Sequence, residues 1–441
     1  MVIFLHCAPR LFAYPLNHTL PLQGGYQLLG RSVDRIRTPH EQSLALAAAT
    51  DLRLDGLVLL GGTYTHTDGA YLAEAFLAAR SACRVVGVPA TIDGDLKGGA
   101  LEAPLGFDTA CKITAALLGN RETDCLSAKK YVYFARVLGR ERGHVALEVA
   151  LQARPNIALI GEDVAERRMT LMDVVRELAD GISQRAEAGS NFAVVLVPEG
   201  LVGYIPEVRT LMAEINAALA GGGGPAAPTR QAVEAALTPW SAAVLAALPP
   251  SVAAQLFLER ESSGEAQLSQ IATEKLLLDL VSKELALRRV AAPALKAKGN
   301  NGMGFFFGYQ ARSALPSNFD CALGGALGRT AVHLVAAGRT GYLAAVRNLA
   351  APPAAWAPVG VPLASLLTVP LPGITCAAAA KPSVVATPVD VRGAAFRAFR
   401  AASAAWCTGD KYANPGPVQF GGPCAGLCTM TLEAEAQEGR R

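Results

Sequence analysis

Short apolar runs that end in glycine or a carboxylate, separated by helical stretches, constrain the fold of this chain more than any other feature. Leu54-Asp-Gly-Leu-Val-Leu-Leu60 ends in Gly61-Gly62, Asp68 to Arg80 reads as a helix rich in alanine and leucine, and Arg84-Val-Val-Gly-Val88 reads as the next strand. The rhythm continues through Tyr131 to Ala135, Asn156 to Ile160, a helix over Leu171 to Ala188, and Phe192 to Val197, which ends in Pro198-Glu199-Gly200. Strands this apolar are buried on both faces, and strand–helix–strand alternation builds parallel sheet. The expectation is a mostly parallel α/β fold with helices on both faces of the sheet.

In open α/β sheets ligands bind at the carboxyl ends of the strands, so the residues after each run are the candidates. Asp93 and Asp95 follow Arg84–Val88 with one glycine between them. Two such acids can divide their work, one taking a proton from a hydroxyl and the other facing a phosphate-bound Mg²⁺; a turn that only caps a loop uses the same letters. Gly61-Gly-Thr-Tyr-Thr-His-Thr-Asp68 offers backbone N–H groups and a helix N-terminus to a phosphate. A tight turn with Thr65 or Thr67 as N-cap is the alternative, and His66 reads as a surface histidine. Glu199 ends another strand, and Gly304 to Gly308 delivers Tyr309 and Arg312. Arg140 and Arg142 suit bidentate phosphate capture, or form a solvated turn. Lys129 and Lys130 line a phosphate site or end a helix; Arg35 and Arg37 stay unassigned.

From Ile205 to about Leu287 the pattern turns helical, interrupted by Gly221 to Ala227, which reads as a low-complexity linker and is expected to be mobile. Ser269 to Arg289 reads as an amphipathic helix, Asn318 to Ala337 as a further helix, and Pro352 to Pro388 as short strands and turns. The stretch nearest to a membrane span, Ser241 to Leu258, is broken by Pro249-Pro250. Met1 to Cys7 is too short and lacks the basic leader of a signal peptide. A net charge of +3 points to neither nucleic acid nor an acidic membrane surface. The cysteines are scattered; Cys424 and Cys428 form a close pair in the tail with no histidine pair beside them, so reduced, cytosolic thiols are expected.

Read in order, these residues resemble the phosphofructokinase family, and within it the long, pyrophosphate-dependent type of plants and apicomplexan parasites. The matching blocks are Gly24 to Arg31, Leu54 to Gly62, Gly87 to Asp95, Gly106-Phe-Asp-Thr-Ala-Cys-Lys112, Leu138-Gly-Arg140 with His144, and Pro198-Glu-Gly200. Gln267 to Ile271 with Thr273-Glu-Lys275, Phe307-Gly-Tyr-Gln-Ala-Arg312 and Asn414-Pro-Gly-Pro417 follow. The resemblance implies transfer of a phosphoryl group from pyrophosphate or ATP to the 1-hydroxyl of fructose 6-phosphate, a glycolytic and cytoplasmic reaction that uses Mg²⁺. It makes Asp93 the base, with Thr91 and Ile92 on the sugar phosphate and Asp95 near the metal. Lys130, Tyr131, Leu138, Gly139 and Arg140 match substrate-binding stretches. Glu199 would accept from sugar hydroxyls, Tyr309 and Arg312 would close on the sugar and its 6-phosphate, and Gly61, Gly62 and Thr65 would hold the donor phosphates.

The resemblance implies two Rossmann-like three-layer units facing a cleft, plus a helical insertion. The divisions expected are residues 1–138 for the donor, 139–308 for fructose 6-phosphate with the insertion at 205–298, and 309–441 returning to the donor side. It also implies a homo- or hetero-oligomer, with substrate pockets completed by a neighbouring subunit. Three departures fall on the donor side. No Gly-rich loop precedes Gly24, as in an N-terminally truncated chain. Thr63 stands where the family's Gly-Gly-Asp motif has an acid, and Ala90 replaces the lysine common in pyrophosphate users. Leu138 for methionine is conservative. Regulatory subunits of the plant type share such changes but tend to lose the acid that Asp93 retains, so a non-catalytic, sugar-phosphate-binding subunit is the alternative function.

Overall fold

The computed structural model describes residues 2–5, 35–99, 101–220, 229–257, 268–297, 301–369 and 381–418. The Gly24–Arg31 block, the Gly221–Ala227 linker and the Cys424/Cys428 pair lie outside them. Two sheets organise the chain. In the first, β1 (Val2–Leu5) runs antiparallel to β2 (Gly56–Gly61), and β2, β3 (Arg84–Pro89) and β8 (Tyr342–Arg347) are parallel. An antiparallel edge strand, β9 (Ala357–Pro362), completes the order β1-β2-β3-β8-β9. The second sheet is wholly parallel, with the order β5 (Ile157–Ala158), β6 (Ala193–Pro198), β4 (Val132–Val137), β7 (Gly302–Phe307).

Helices cover both faces of each sheet. Helix α1 (Pro39–Asp51) opens with a capping box between Thr38 and Glu41, and α2 (Thr63–Ala78) connects β2 to β3. Helices α3 (Phe107–Ala128) and α4 (His144–Ala153) flank β4 and share one apolar core with its neighbours. After the short α5 (Gly161–Glu166), α6 (Leu171–Glu187) buries Leu171, Val174, Val175, Leu178, Ala179, Ile182 and Ala186. That is one stripe at helical spacing, and each of its large side chains contributes about 1.5–3 kcal/mol when fully buried. The insertion contributes α7 (Pro206–Ala220), three short helices from Arg230 to Gln255, and α8 (Thr273–Ala291); their apolar sides and α6 form the core on the sheet's other face. A single turn, Tyr309–Arg312, leads to α9 (Asn318–Ala336) over β3 and β8, and α10 (Ala394–Thr408) packs back on the second unit.

Both units are thus three-layered and mostly parallel, as the alternation of runs predicts. Three details differ from the sequence reading. Helix α2 starts at Thr63 rather than Asp68, with Gly62 as an extended N-cap, so neither Thr65 nor Thr67 caps it. Its first turn, Thr-Tyr-Thr, is rich in β-branched residues and hides the start, whereas the buried face through His66, Gly69, Leu72, Ala73 and Phe76 sets it. Strand β4 pairs into the second sheet, so the sheets divide before Val132 and not after residue 138. The part after residue 309 returns to both units: β8 and β9 to the first, α10 to the second.

Candidate active site

The carboxyl ends of β3, β4, β6 and the strand–turn after β7 converge. Asp93 enters from the first unit; Arg140, Glu199 and Arg312 enter from the second. Its turn is built tightly: the Asp93 amide donates to Thr91 Oγ1 (3.2 Å), and Gly94 takes φ +69°. A Cβ on Gly94 would stand 2.5 Å from the Phe107 ring, so the position needs glycine for conformation and for space. Arg140 and Glu199 are locked to each other by backbone. The Glu199 amide donates to the Val137 carbonyl (3.0 Å) and the Gly200 amide to Gly139 (3.2 Å). Gly200 lies so close that a Cβ there would meet the Arg140 carbonyl oxygen at 1.9 Å.

Electrostatics around Asp93 oppose one another. Burial raises its pKa, while the Arg140 and Arg312 guanidiniums draw it down. Glu199 is buried, has one carboxylate oxygen without a hydrogen-bond partner, and is pushed up to about 7 by burial and then by Asp93. Asp95 is also buried, pushed up to about 6 by burial and then by Asp93, and its Oδ1 has no hydrogen-bond partner. Asp93 therefore raises the pKa of two further buried carboxyls, while two guanidiniums draw its own down.

On the donor side Gly62 packs beside Thr91, so the β2–α2 turn adjoins the Asp93 loop. Thr65 folds back on Gly61, where a Cβ would meet its Oγ1 at 2.1 Å. Thr91 and Ile92 are half-buried at the mouth of the turn and Leu138 is half-buried after β4, while Tyr309 is 76% exposed with Arg312 over its ring at 5.7 Å. Lys130 and Tyr131 do not join them. They precede β4 at the amino edge of the sheet, with Lys130 Nζ 4.9 Å from the Tyr131 ring and Asn301 Nδ2 donating to the Lys130 carbonyl. The six residues of β4, ~20 Å, separate that edge from the end that leads to Gly139.

Other candidates resolve into structural roles. His66 is fully buried against Gly87, and burial pushes its pKa down to about 4, so it is no surface histidine. Lys129 caps α3 in left-handed conformation. Arg35 makes a bidentate pair with Asp68. Arg142 Nε donates to the Ala386 carbonyl (3.0 Å). Sequence reasoning missed Arg136, which pairs with Glu274 (2.7 Å) inside the fold, packs on Phe306 at 3.9 Å and draws down the pKa of Glu199. The signal was present: one arginine within the otherwise apolar run Val132–Val137.

Among the described residues no group of three or more His, Cys, Asp or Glu side chains is arranged to hold a metal ion, and no helix is long and apolar enough to cross a membrane. The orphaned Asp95 oxygen fits a different arrangement, in which Mg²⁺ takes one protein carboxylate and completes its shell with substrate phosphates and water.

Comparison with known proteins shows the family. The family profile described as Phosphofructokinase matches residues 19–234. Pyrophosphate–fructose 6-phosphate 1-phosphotransferase subunit alpha 1 of Arabidopsis thaliana is 43% identical over 94% of this chain and 67% of its own length. The chain belongs to the phosphofructokinase family. The subunit beta of Solanum tuberosum is 40% identical over 96% of this chain and 72% of its own. The pyrophosphate-dependent phosphofructokinase of Nitrosospira multiformis, 14% identical, shares the fold with a TM-score of 0.50 over 88% of this chain and 75% of that one. The phosphofructokinase fold accounts for the two facing sheets.

Proposed function

We propose that this chain transfers a phosphoryl group from pyrophosphate to the 1-hydroxyl of fructose 6-phosphate, giving fructose 1,6-bisphosphate. The observation that carries the reading is Asp93, set from one unit against Arg140 and Arg312 of the other. Phosphoryl transfer needs little covalent chemistry from the protein; it needs alignment and charge stabilisation. Asp93 accepts the proton of the sugar hydroxyl, and the two arginines favour its charged form. Thr91, Ile92, Leu138 and Gly139 border the sugar phosphate. Glu199 accepts from a sugar hydroxyl, and Tyr309 and Arg312 close on the ring and its 6-phosphate. The Gly61-Gly62 turn presents the N-terminus of α2, with Thr65, to the donor phosphates. Asp95 would hold Mg²⁺, which would supply charge neutralisation at those phosphates. Lys130 and Tyr131, remote from this site within one chain, serve the site of a neighbouring chain in an oligomer. The reaction is placed in the cytoplasm.

Thr63 favours a second reading. With no acid after Gly61-Gly62, and with likeness to relatives named subunit alpha as well as subunit beta, the chain would be a regulatory subunit that binds fructose 6-phosphate and assembles with a catalytic partner. One experiment separates the two. The purified chain is assayed with fructose 6-phosphate and Mg²⁺, with pyrophosphate or ATP, alone and beside a catalytic homologue. Turnover alone that Asp93→Ala abolishes supports the enzyme. No turnover alone, with stimulation of the homologue, overturns it in favour of the regulatory subunit.

A further inference from the structure

Residues 382–389 form a strap that bonds to α2, to the loop that carries Asp93 and to the segment that follows Arg140, although nothing in the reaction as described uses it. It begins on the donor helix: Tyr71 Oη donates to the Pro382 carbonyl (2.8 Å) and the Val384 amide to Thr67 Oγ1 (2.9 Å). It ends on the other unit, where the Val389 amide donates to Glu162 Oε1 (3.0 Å), the oxygen that also accepts from the Gly143 amide at the start of α4. Between these anchors the Ala386 carbonyl accepts from Arg142.

Thr387 is the junction. Its amide donates to the Asp95 carbonyl (2.8 Å) and its hydroxyl to the Lys97 carbonyl (2.7 Å), both on the loop that carries Asp93. Its own carbonyl meets His144 Nε2 at 2.8 Å, on the helix that follows Arg140. Burial lowers the pKa of His144, so the ring is neutral and donates from Nε2. The two loops also pack directly here, since a Cβ on Gly94 would stand 3.1 Å from His144 Cβ.

We infer that Thr387 is a positioning residue, setting the separation between Asp93 on one unit and Arg140 on the other by bonding to both loops at once. The inference rests on reading Asp93 as the base. Thr387 touches no reacting atom; it acts through the backbone of Asp95 and Lys97 and through His144. Its hydroxyl is the one contact that a substitution can remove while keeping shape.

The test compares Thr387→Val with Thr387→Ser in the full chain, using steady-state kinetics and hydrogen exchange. In Thr387→Val, kcat should fall about fivefold to tenfold, the worth of one hydrogen bond, with KM for fructose 6-phosphate within about twofold. Exchange should quicken together in residues 93–98 and 141–145, and Thr387→Ser should restore both readouts. Unchanged exchange in either segment of Thr387→Val overturns the inference, as does a loss that Thr387→Ser shares. If the wild-type chain shows no turnover, the catalytic reading fails, and exchange alone then decides whether Thr387 links the two loops.

Discussion

A carboxylate held between burial and two guanidiniums has its working pH set by its neighbours, and Asp93 is such a group. Asp93→Asn should lower kcat by about 10²–10⁴-fold, as loss of a general base does, while calorimetry shows fructose 6-phosphate still bound. Because Asp93 raises the pKa of both Asp95 and Glu199, the acid limb of kcat/KM belongs to the group rather than to one residue. Arg140 lowers the pKa of Asp93, so Arg140→Gln should move that limb to higher pH, read from a pH–rate profile. Far from the site, Glu122 is buried in α3 with neither carboxylate oxygen hydrogen-bonded, and burial pushes its pKa up to about 9. The folded chain therefore keeps a proton that the unfolded chain releases near pH 4.5. Stability falls as pH rises through that window, by at most about 1.4 kcal/mol per pH unit. Glu122→Gln should flatten the dependence, as measured by urea unfolding at pH 5, 7 and 9. Asp93, Arg140, Glu199 and Arg312 were legible in the sequence because each follows an apolar run at the strand end where ligands gather. His66 and Glu122 were not, since neither periodicity nor composition reveals which single polar residue of a helix faces inward.

At the scale of elements, the site depends on pairings hidden beneath it. Glu274, at the start of α8, meets Arg136 within β4 at 2.7 Å, both side chains buried. Glu274→Ala leaves that guanidinium without its carboxylate and should cost about 3–5 kcal/mol in denaturant unfolding. It also frees Arg136 to draw Glu199 to lower pH. Asp320 does similar service for α3, accepting from the amides of Gly106 (3.0 Å) and Thr109 (2.9 Å) at the helix start. Such long-range caps leave no mark in the local sequence. Strand β8 was missed for a related reason: Tyr342-Leu-Ala-Ala-Val-Arg347 is short and alanine-rich, and only its place between β3 and β9 makes it a strand. The boundary at residue 138 was misplaced because a strand's own letters do not say which sheet it joins.

For the molecule as a whole, the separation of Lys130 and Tyr131 from Asp93 yields a test of assembly. If a neighbour's Lys130 completes each site, chains carrying Lys130→Ala and chains carrying Asp93→Asn, each impaired alone, should regain turnover when unfolded and refolded together. Random pairing of two-site dimers would restore about a quarter of wild-type activity; two additive, unimproved activities would instead show that sites are not shared. Both the facing of the two units and the return of the chain from one to the other were legible through resemblance. That crossing also bears on how the protein is made. Val86 of β3 pairs with Tyr342 of β8, so β3, once made, keeps an unsatisfied edge until the roughly 250 residues between the two strands have also been synthesised. At ~5–20 residues per second that wait lasts about 10–50 s. During it the apolar flank of β3 is open to other nascent chains, and a chaperone that shields exposed strands has its clearest substrate at that stage.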